Sequence, residues 1–280
     1  MVIVSFRVSH TRTSWPLILH GNGPAKNNPI WKQVVDSCTN QKGWDERRPI
    51  IEGITVLTWS VPGETTMLEE CFSNMNIKGE LIVIPITKPF NWLDKITKTN
   101  EYLKKVRTKY VVGLDSTDII ISTDNGGQKT LWYDLKETFK ELNCKLVYNA
   151  EKYNWPSSDG IGTKIQKDGM NSYLIEELVE TEKFEEKMYK DYFGSKFFRL
   201  NSGAFMGYTD YTKDFYQTLC DEHIERIYEK GVDENFFGGD QGFIRIMQRR
   251  CFPDLTIDWK NKIFMTFAGV EKDDLQGVFE

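Results

Sequence analysis

The sequence has few of the residues that build soft-metal sites or disulfide frameworks. It contains three histidines and five cysteines, and no two cysteines form a CxxC pair. A histidine-rich metal cage and a cysteine zinc site are therefore excluded, and the odd cysteine count argues against a disulfide framework. We expect a reducing compartment, the cytoplasm, as the location of the chain.

Long apolar runs are missing too. No segment approaches the roughly 18 consecutive apolar residues of a membrane helix. The first residues, MVIVSFRVSHTRTSW, lack the basic flank, apolar core and cleavage site of a signal peptide. We therefore expect no membrane among the partners of this chain.

Positive charge is in deficit. The net charge is −5 and the isoelectric point is near 5.5, whereas non-specific nucleic-acid binding needs many Lys and Arg facing phosphates. Nucleic acid is therefore a disfavoured partner, although basic stretches such as 104–109 leave a local groove open. With histidine scarce, a metal would be held mainly by carboxylates, which favours Mn²⁺ or Mg²⁺.

Short apolar runs rich in β-branched residues alternate with amphipathic segments along the chain. The runs predict strands at 54–59, 80–86, 110–122 and 145–151. Apolar residues every three or four positions predict sheet-covering helices over 90–107 and 131–143, and the Glu- and Lys-rich stretch 171–193 predicts a solvated surface helix. This alternation is typical of an α/β fold.

Two aspartates follow one of the predicted strands. Asp115 and Asp118 come directly after the apolar run YVVGL and before IIIS. Ligands of open α/β sheets bind beyond the carboxyl ends of strands, where two carboxylates can share a cation bound to a diphosphate. Taken alone, the pair is equally well explained as a turn and a cap between two strands.

A glycine loop, HGNGPAK at 20–26, follows the apolar run PLIL. Its two glycines allow the backbone to approach an anion, Lys26 can meet a phosphate, and His20 can offer a ring nitrogen to a metal. Read alone, it is more simply a turn that carries a polar histidine.

Three more polar groups interrupt or end predicted elements. Asn201, Ser202 and Gly203 interrupt a strand-like run and can bond sugar hydroxyls, or form a bulge at a sheet edge. Asp240 opens a helical run, where it faces a substrate or caps the helix.

The end of the strand at 145–151 carries Glu151, which would enter the cleft, and a nearby Trp155, which packs on a sugar ring or in the core. The turn-rich segment 155–169 that follows has the length of a functional loop.

Together, five segments resemble one family. They are HGNGPAK (20–26), LDSTD (114–118), NAEKYNWP (149–156), LNSGAFMGY (200–208) and GDQGF (239–243). They are similar to motifs in the glycosyltransferase domain of the procollagen lysyl hydroxylases and in the related procollagen-type glycosyltransferases. The resemblance covers residues 15–31 and about 54–267, and it implies a GT-A type fold, a UDP-glucose or UDP-galactose donor and a Mn²⁺ ion.

The resemblance also implies roles for single residues. The metal would be held by Asp115, Asp118 and His20. The nucleotide-sugar donor would lie against Thr58, Trp59, Gly21, Asn22, Gly23, Lys26, Asp115 and Thr117. The sugar and acceptor would lie against Trp155, Asn201, Ser202, Gly203 and Gln241, with Asp240 and Glu151 as the candidate catalytic carboxylates.

Two departures from the family pattern matter. Thr117 stands where the family has an aromatic residue that stacks on uracil, which weakens the case for uridine because stacking contributes about 1–3 kcal/mol. The histidine-glycine loop precedes the other motifs here, whereas in the family it follows the NSG and DQ motifs.

The changed order predicts a circularly permuted GT-A type fold, with a mixed central sheet flanked by helices in a single catalytic domain. Residues 1–40 would supply the closing strand and the HGNGP loop, 41–52 a connector, and 53–280 the main α/β body. Chance similarity of the first loop is the alternative, and it would remove His20 from the site.

The predicted function is metal-dependent transfer of a hexose from a nucleotide sugar to a hydroxyl-bearing acceptor. The acceptor is a hydroxylysine-like protein, a glycan or a hydroxymethylated DNA base. A nucleotide-sugar hydrolase, a phosphoryl-transfer enzyme with the same metal site and a non-catalytic nucleotide-sugar binding module are the alternatives. The choice between Asp240 and Glu151 as the acceptor's base stays open.

Overall fold

Six strands form a mixed sheet, and three short strands form a second sheet. The structure, a computed structural model, describes residues 18–39, 50–74, 78–87, 91–121, 131–159, 172–224 and 239–271. The strands are β1 (Ile18–His20), β2 (Ile50–Ser60), β3 (Lys78–Pro85), β4 (Tyr110–Leu114), β5 (Ile119–Ile121), β6 (Leu146–Glu151), β7 (Arg199–Tyr208), β8 (Leu255–Ile257) and β9 (Phe264–Thr266). The strands predicted at 54–59, 80–86 and 145–151 are confirmed, and the run 110–122 divides into β4 and β5.

The larger sheet has the order β3-β2-β4-β7-β6-β8. Strand β2 runs parallel to β3 and β4, β7 runs antiparallel to β4 and β6, and β6 is parallel to β8. The smaller sheet has the order β5-β1-β9, with β1 antiparallel to β5 and parallel to β9. The predicted mixed sheet is confirmed, but β1 pairs in the smaller sheet and not in the central one.

Helices flank the larger sheet. They are α1 (Pro29–Thr39), α2 (Met67–Asn74), α3 (Trp92–Leu103), α4 (Leu131–Glu141), α5 (Ser172–Glu185), α6 (Thr209–Leu219) and α7 (Asp240–Cys251). The start of α3 is fixed by Asn91, whose Oδ1 accepts bonds from the backbone N–H groups of Leu93 and Asp94. No helix in the described part of the chain combines the length and apolar character that a membrane crossing requires.

The core lies on both faces of the larger sheet. Successive residues of β2 alternate between two buried apolar clusters, with Leu57 in one and Val56 in the other. In β4, Val111 and Val112 alternate in the same way, and all five residues of that strand are buried. Because side chains alternate across a strand, unbroken apolar runs are what a sheet covered on both faces requires.

Three expectations from the sequence need correction. The connector predicted at 41–52 overlaps β2, which begins at Ile50; residues 41–49 lie outside the described part of the chain. The NSG triplet is not at a sheet edge, because β7 lies between β4 and β6. The loop predicted at 155–169 is described only to residue 159.

The helix predicted at 171–193 exists, as α5 and a π-helical continuation, Glu186–Tyr192. It is not simply solvated, since Leu178, Glu185 and Tyr189 are fully buried. Its charged residues include members of an internal ion-pair network, which no periodicity of the sequence reveals.

Candidate metal centre and cleft

A cleft of about 970 Å³ opens beyond the carboxyl ends of β1, β4 and β6. The predicted site residues that line it are His20, Asn22, Gly23, Lys26, Trp59, Asp115, Thr117, Asp118, Glu151, Trp155, Asn201, Ser202, Gly203, Asp240 and Gln241. Segments far apart in the sequence thus meet in one place.

Two predicted site residues do not line the cleft. Gly21 is buried against the Trp31 ring, which a Cβ at this position would overlap, and its N–H donates to the carbonyl of Asp118 at 2.8 Å. Thr58 is buried, and its hydroxyl donates to the carbonyl of Leu114 at 2.9 Å. Both residues therefore hydrogen-bond the backbone at or next to the two aspartates and hold it in place.

His20, Asp115 and Asp118 form a cluster that we call the metal centre. Strand pairing explains the contact, since His20 lies opposite Ile119 in the register of β1 and β5. His20 Nε2 lies 3.4 Å from Oδ1 of Asp118 and 3.7 Å from Oδ2 of Asp115. The three ligand atoms lie within 4.8 Å of one another.

Each aspartate uses its other oxygen to bind a lysine. Oδ1 of Asp115 accepts from Lys95 Nζ at 2.8 Å, and Oδ2 of Asp118 pairs with Lys26 Nζ at 3.1 Å. One oxygen of each carboxylate is therefore directed to the histidine, and the other is held by an ammonium group.

The donor set fits a hard divalent cation. Among the described residues, His20 Nε2 and Asp118 Oδ1 are buried and find no hydrogen-bond partner, which is costly unless a ligand satisfies them. Ligands of Mg²⁺ lie about 2.0–2.1 Å from the ion, so they are about 3 Å apart when adjacent and about 4 Å when opposite. The observed 3.4 and 3.7 Å lie between these two values, and all three ligand atoms lie within 4.8 Å of one another, so a shared ion would require a small shift of the side chains.

The carboxylates also control the charge of the histidine. Burial lowers the pKa of His20, but the charges of Asp118, Asp115 and Glu151 outweigh it and raise the pKa above 6.5. Burial raises the pKa of Asp118, but His20 and Lys26 outweigh it and hold that pKa well below its usual range. The positive charge of protonated His20 thus balances the negative charge of the aspartates, as a bound cation would.

Lys95 joins the metal centre to the second carboxylate region. Its ammonium group is buried and lies 2.8 Å from Asp115 Oδ1, 3.1 Å from Asp240 Oδ2 and 4.6 Å from the centre of the Trp59 ring. Burial opposes its charge, but Asp115 and Asp240 raise the pKa of Lys95 above its usual value. Asp240 is the first residue of α7, after the N-cap Gly239, and its side chain faces the cleft.

Glu151 is held by amide groups from three segments. Oε2 accepts from Asn22 Nδ2 at 2.8 Å and from Asn201 Nδ2 at 3.3 Å, and Oε1 accepts from Gln241 Nε2 at 2.7 Å. Burial raises the pKa of Glu151 to about 7, against the effect of the Gln241 and Asn22 bonds. The carboxyl group therefore ties the glycine loop to β7 and α7.

An irregularity of three extra residues brings the backbone of β7 against the metal centre. The register with β6 shifts from Tyr148 opposite Phe205 to Asn149 opposite Asn201. Gly203 lies in the extra segment, and a Cβ there would overlap the His20 ring and Asp115 Oδ2. Glycine is required for this close approach.

Aromatic side chains form one wall of the cleft. Trp155 is 61% exposed and Tyr153 is 46% exposed, so Trp155 is not a core residue. The Trp155 carbonyl accepts from Gln241 Nε2, and the Pro156 carbonyl accepts from Arg245 Nη1 at 2.6 Å. The backbone of this wall is thus fixed while the indole stays accessible.

Arg245 belongs to a buried group of charges beneath that wall, which we call the arginine cluster: Glu185, Arg199 and Arg245. Glu185 Oε2 accepts from Arg199 Nη1 at 3.0 Å and from Arg245 Nη2 at 2.5 Å. Arg245 Nη2 also donates to Asn154 Oδ1 at 2.9 Å. The cluster connects α5, β7 and α7 to the Asn154–Pro156 backbone.

The structure adds cleft residues that the sequence did not single out. They include Lys95, Ser116, Tyr153 and Asn154. Lys95 was hidden because it sits among Lys, Asp and Thr residues of an amphipathic helix, where charge usually indicates solvent. Tyr153 and Asn154 lie inside the NAEKYNWP segment, next to Trp155. Their place in that motif is the feature of the sequence that could have indicated them.

No protein-family model matches the sequence, and a search of curated proteins finds no match either. The structure defines the class of the protein as α/β, with a mixed six-stranded sheet flanked by helices. This arrangement is compatible with a Rossmann-like fold. We therefore infer the function from the chemistry of the cleft.

Proposed function

We propose that this protein is a divalent-metal-dependent glycosyltransferase that moves a hexose from a nucleotide sugar to a hydroxyl-bearing acceptor. The observation that carries the proposal is the meeting of the metal centre, two lysines and two further carboxylates in one cleft. We also propose that the fold is of GT-A type with the permuted chain order, because His20 precedes the other site segments and yet lies beside both aspartates.

His20, Asp115 and Asp118 would hold Mn²⁺ or Mg²⁺. When bound, the cation acts as a Lewis acid that neutralises charge developing on the leaving diphosphate. His20 Nε2 would have to be deprotonated to hold the cation, because the ring nitrogen binds a metal through its lone pair. Lys26 Nζ, half-exposed at the cleft, can then share the diphosphate charge.

Asp240 is the better candidate for the group that orients or deprotonates the acceptor. Both oxygens of Glu151 already accept bonds from Asn22, Asn201 and Gln241, so its carboxyl group organises the site. Asp240 is held by Lys95, which also holds Asp115. One buried ammonium group therefore fixes the spacing between the metal centre and Asp240.

The donor is proposed to be UDP-glucose or UDP-galactose. Thr117 is exposed at the cleft, and it offers no ring on which the base could stack. We therefore expect weaker discrimination among nucleotide bases than a stacked site gives. The acceptor is a hydroxylysine-like protein, a glycan or a hydroxymethylated DNA base, and the free cysteines of the described residues agree with a cytoplasmic setting.

The test is release of free nucleotide from a panel of nucleotide sugars, with Mn²⁺ and with EDTA. We expect Mn²⁺-dependent release with one donor, strongly reduced in His20→Ala and Asp118→Ala. Asp254→Asn, which changes an exposed ion pair with Lys145, is the matched control and should behave as the parent protein. Faster release with a hydroxyl acceptor indicates transfer, whereas acceptor-independent turnover indicates a hydrolase.

Donor binding separates the remaining outcomes. Tight, Mn²⁺-dependent donor binding without turnover on any acceptor would favour a binding module. Release that is equally fast in His20→Ala would contradict both the metal assignment and the permuted order.

A further inference from the structure

A third unpaired polar atom lies next to the metal centre. Asn149 is fully buried on β6, and its Nδ2 faces His20 Nδ1 at 3.4 Å. Within the part of the chain that the structure describes, its Oδ1 has no hydrogen-bond partner, and neither have His20 Nε2 and Asp118 Oδ1. The amide of Asn149 therefore lies beside the ring nitrogen of His20 that faces away from the two aspartates, where it can set the position of the ring proton.

The orientation of the Asn149 amide and the position of the proton on the His20 ring depend on each other. When Asn149 Nδ2 donates to Nδ1 of neutral His20, the ring proton sits on Nε2, and Nε2 then has no lone pair for a metal. Turning the amide about its Cβ–Cγ bond exchanges the nearly isosteric NH₂ and oxygen. Oδ1 would then accept from Nδ1–H, and the lone pair of Nε2 would point to the aspartates.

We infer that Asn149 is a positioning residue that selects the metal-binding tautomer of His20. Its amide oxygen accepts from Nδ1–H and so keeps the lone pair of Nε2 available to the cation, whereas its amide nitrogen can bond only the neutral tautomer that carries its proton on Nε2. Metal-binding histidines commonly donate their second ring N–H to such a partner, and its loss typically reduces affinity about 10–100-fold. The inference rests on the proposed metal centre and is independent of donor and acceptor.

An asparagine is well suited to this role because it can donate in one state and accept in the other. An aspartate at the same place can only accept, and it would favour the metal-binding tautomer permanently. The surroundings leave little room for another partner, since Gly203 packs its backbone against the His20 ring.

The experiment measures Mn²⁺ binding by electron paramagnetic resonance and the His20 tautomer by ¹⁵N NMR in Mg²⁺-loaded protein. The chain has three histidines, so the His20 ring can be assigned by comparison with His20→Ala. For Asn149→Leu we expect Mn²⁺ affinity to fall about 10–100-fold, with loss of the Nδ1-protonated signal. Asn149→Asp should restore both affinity and signal.

Asn100→Leu is the matched control, because Asn100 is also a buried asparagine but bonds Gln217 instead of the metal centre. It should leave Mn²⁺ affinity and the His20 signals unchanged. The inference is overturned if Asn149→Leu keeps the parent affinity, or if affinity falls while the tautomer stays the same. A parent protein that binds Mn²⁺ but turns over no nucleotide sugar would contradict the proposed function and leave this inference standing.

Discussion

The metal centre and the arginine cluster are both buried groups of opposite charges, but they differ in how completely their polar atoms are paired. Every side-chain nitrogen and oxygen of Glu185 and Arg245 has a partner, although Arg199 Nε has none. In the metal centre, His20 Nε2 and Asp118 Oδ1 face each other at 3.4 Å but make no hydrogen bond with any residue that the structure describes.

This difference in hydrogen-bond pairing distinguishes a structural cluster from a binding site. A buried ion pair with its hydrogen bonds satisfied holds elements in place, whereas buried atoms left unpaired cost free energy until a ligand completes them. The arginine cluster thus fixes the wall of the cleft, whereas the atoms of the metal centre are suited to binding a cation.

The largest effect is expected from breaking the arginine cluster. Arg245→Met removes one of the two arginines that pair with the buried Glu185, and it leaves the Pro156 carbonyl without its hydrogen bond. The free energy of unfolding, measured in urea, should therefore fall by about 3–5 kcal/mol. Lys145→Met, which removes an exposed ion pair with Asp254, should cost less than about 1 kcal/mol. Equal losses in the two variants would mean that the cluster gives no particular support.

Glu151, between the two regions, should make stability depend on pH. Its pKa of about 7 lies above the ordinary 4.5, so in metal-free protein the folded chain keeps a proton that the unfolded chain releases. Stability relative to Glu151→Gln should therefore fall as pH rises from about 4.5 to about 7, by at most about 3 kcal/mol at about 1.4 kcal/mol per pKa unit. Chemical unfolding at pH 5 and pH 8 tests this, and a difference that is the same at both pH values would contradict it.

Gly203→Ala tests the close approach of β7 to the metal centre. The added Cβ must displace His20 or Asp115, so we expect a loss of about 1–3 kcal/mol in stability together with weaker Mn²⁺ binding. Ser202→Ala, one residue earlier, adds no atoms and should keep the Mn²⁺ affinity. Parent-like Mn²⁺ binding by Gly203→Ala would show that this packing does not shape the centre.

The smallest effect on stability is expected at Trp155. Because its side chain is 61% exposed, Trp155→Ala should change the free energy of unfolding by about 0.5 kcal/mol or less, while raising the KM for donor or acceptor. Trp31→Ala, at a position only 4% exposed, should cost about 3–5 kcal/mol. A loss of similar size at Trp155 would assign it a structural role.

Strands β2, β3, β4 and β6 of the larger sheet could be predicted because their apolar runs are local properties of the chain, whereas the three-residue β8 was not predicted. The grouping of Asp115, Asp118 and His20 could be predicted only from the combination of motifs, since each loop alone is also an ordinary turn. The membership of β1 in the smaller sheet could not be predicted, because three-residue strands carry almost no pattern.

The burial of charged side chains is the second feature that could not be predicted from the sequence. Lys95, Glu185 and Arg245 look like solvent-exposed helix residues in the sequence, and their burial depends on partners that come from distant segments. A charge that is paired inside the protein has no signature in local hydropathy.

Mn²⁺ titration of the metal-free protein shows whether His20, Asp115 and Asp118 bind a cation. We expect one Mn²⁺ bound per chain in the parent protein, with greater stability against unfolding as the ion saturates the site, and loss of both effects in Asp118→Ala. A parent protein that binds no Mn²⁺, or an Asp118→Ala variant that binds it equally well, would contradict the assignment of the unpaired atoms to a cation.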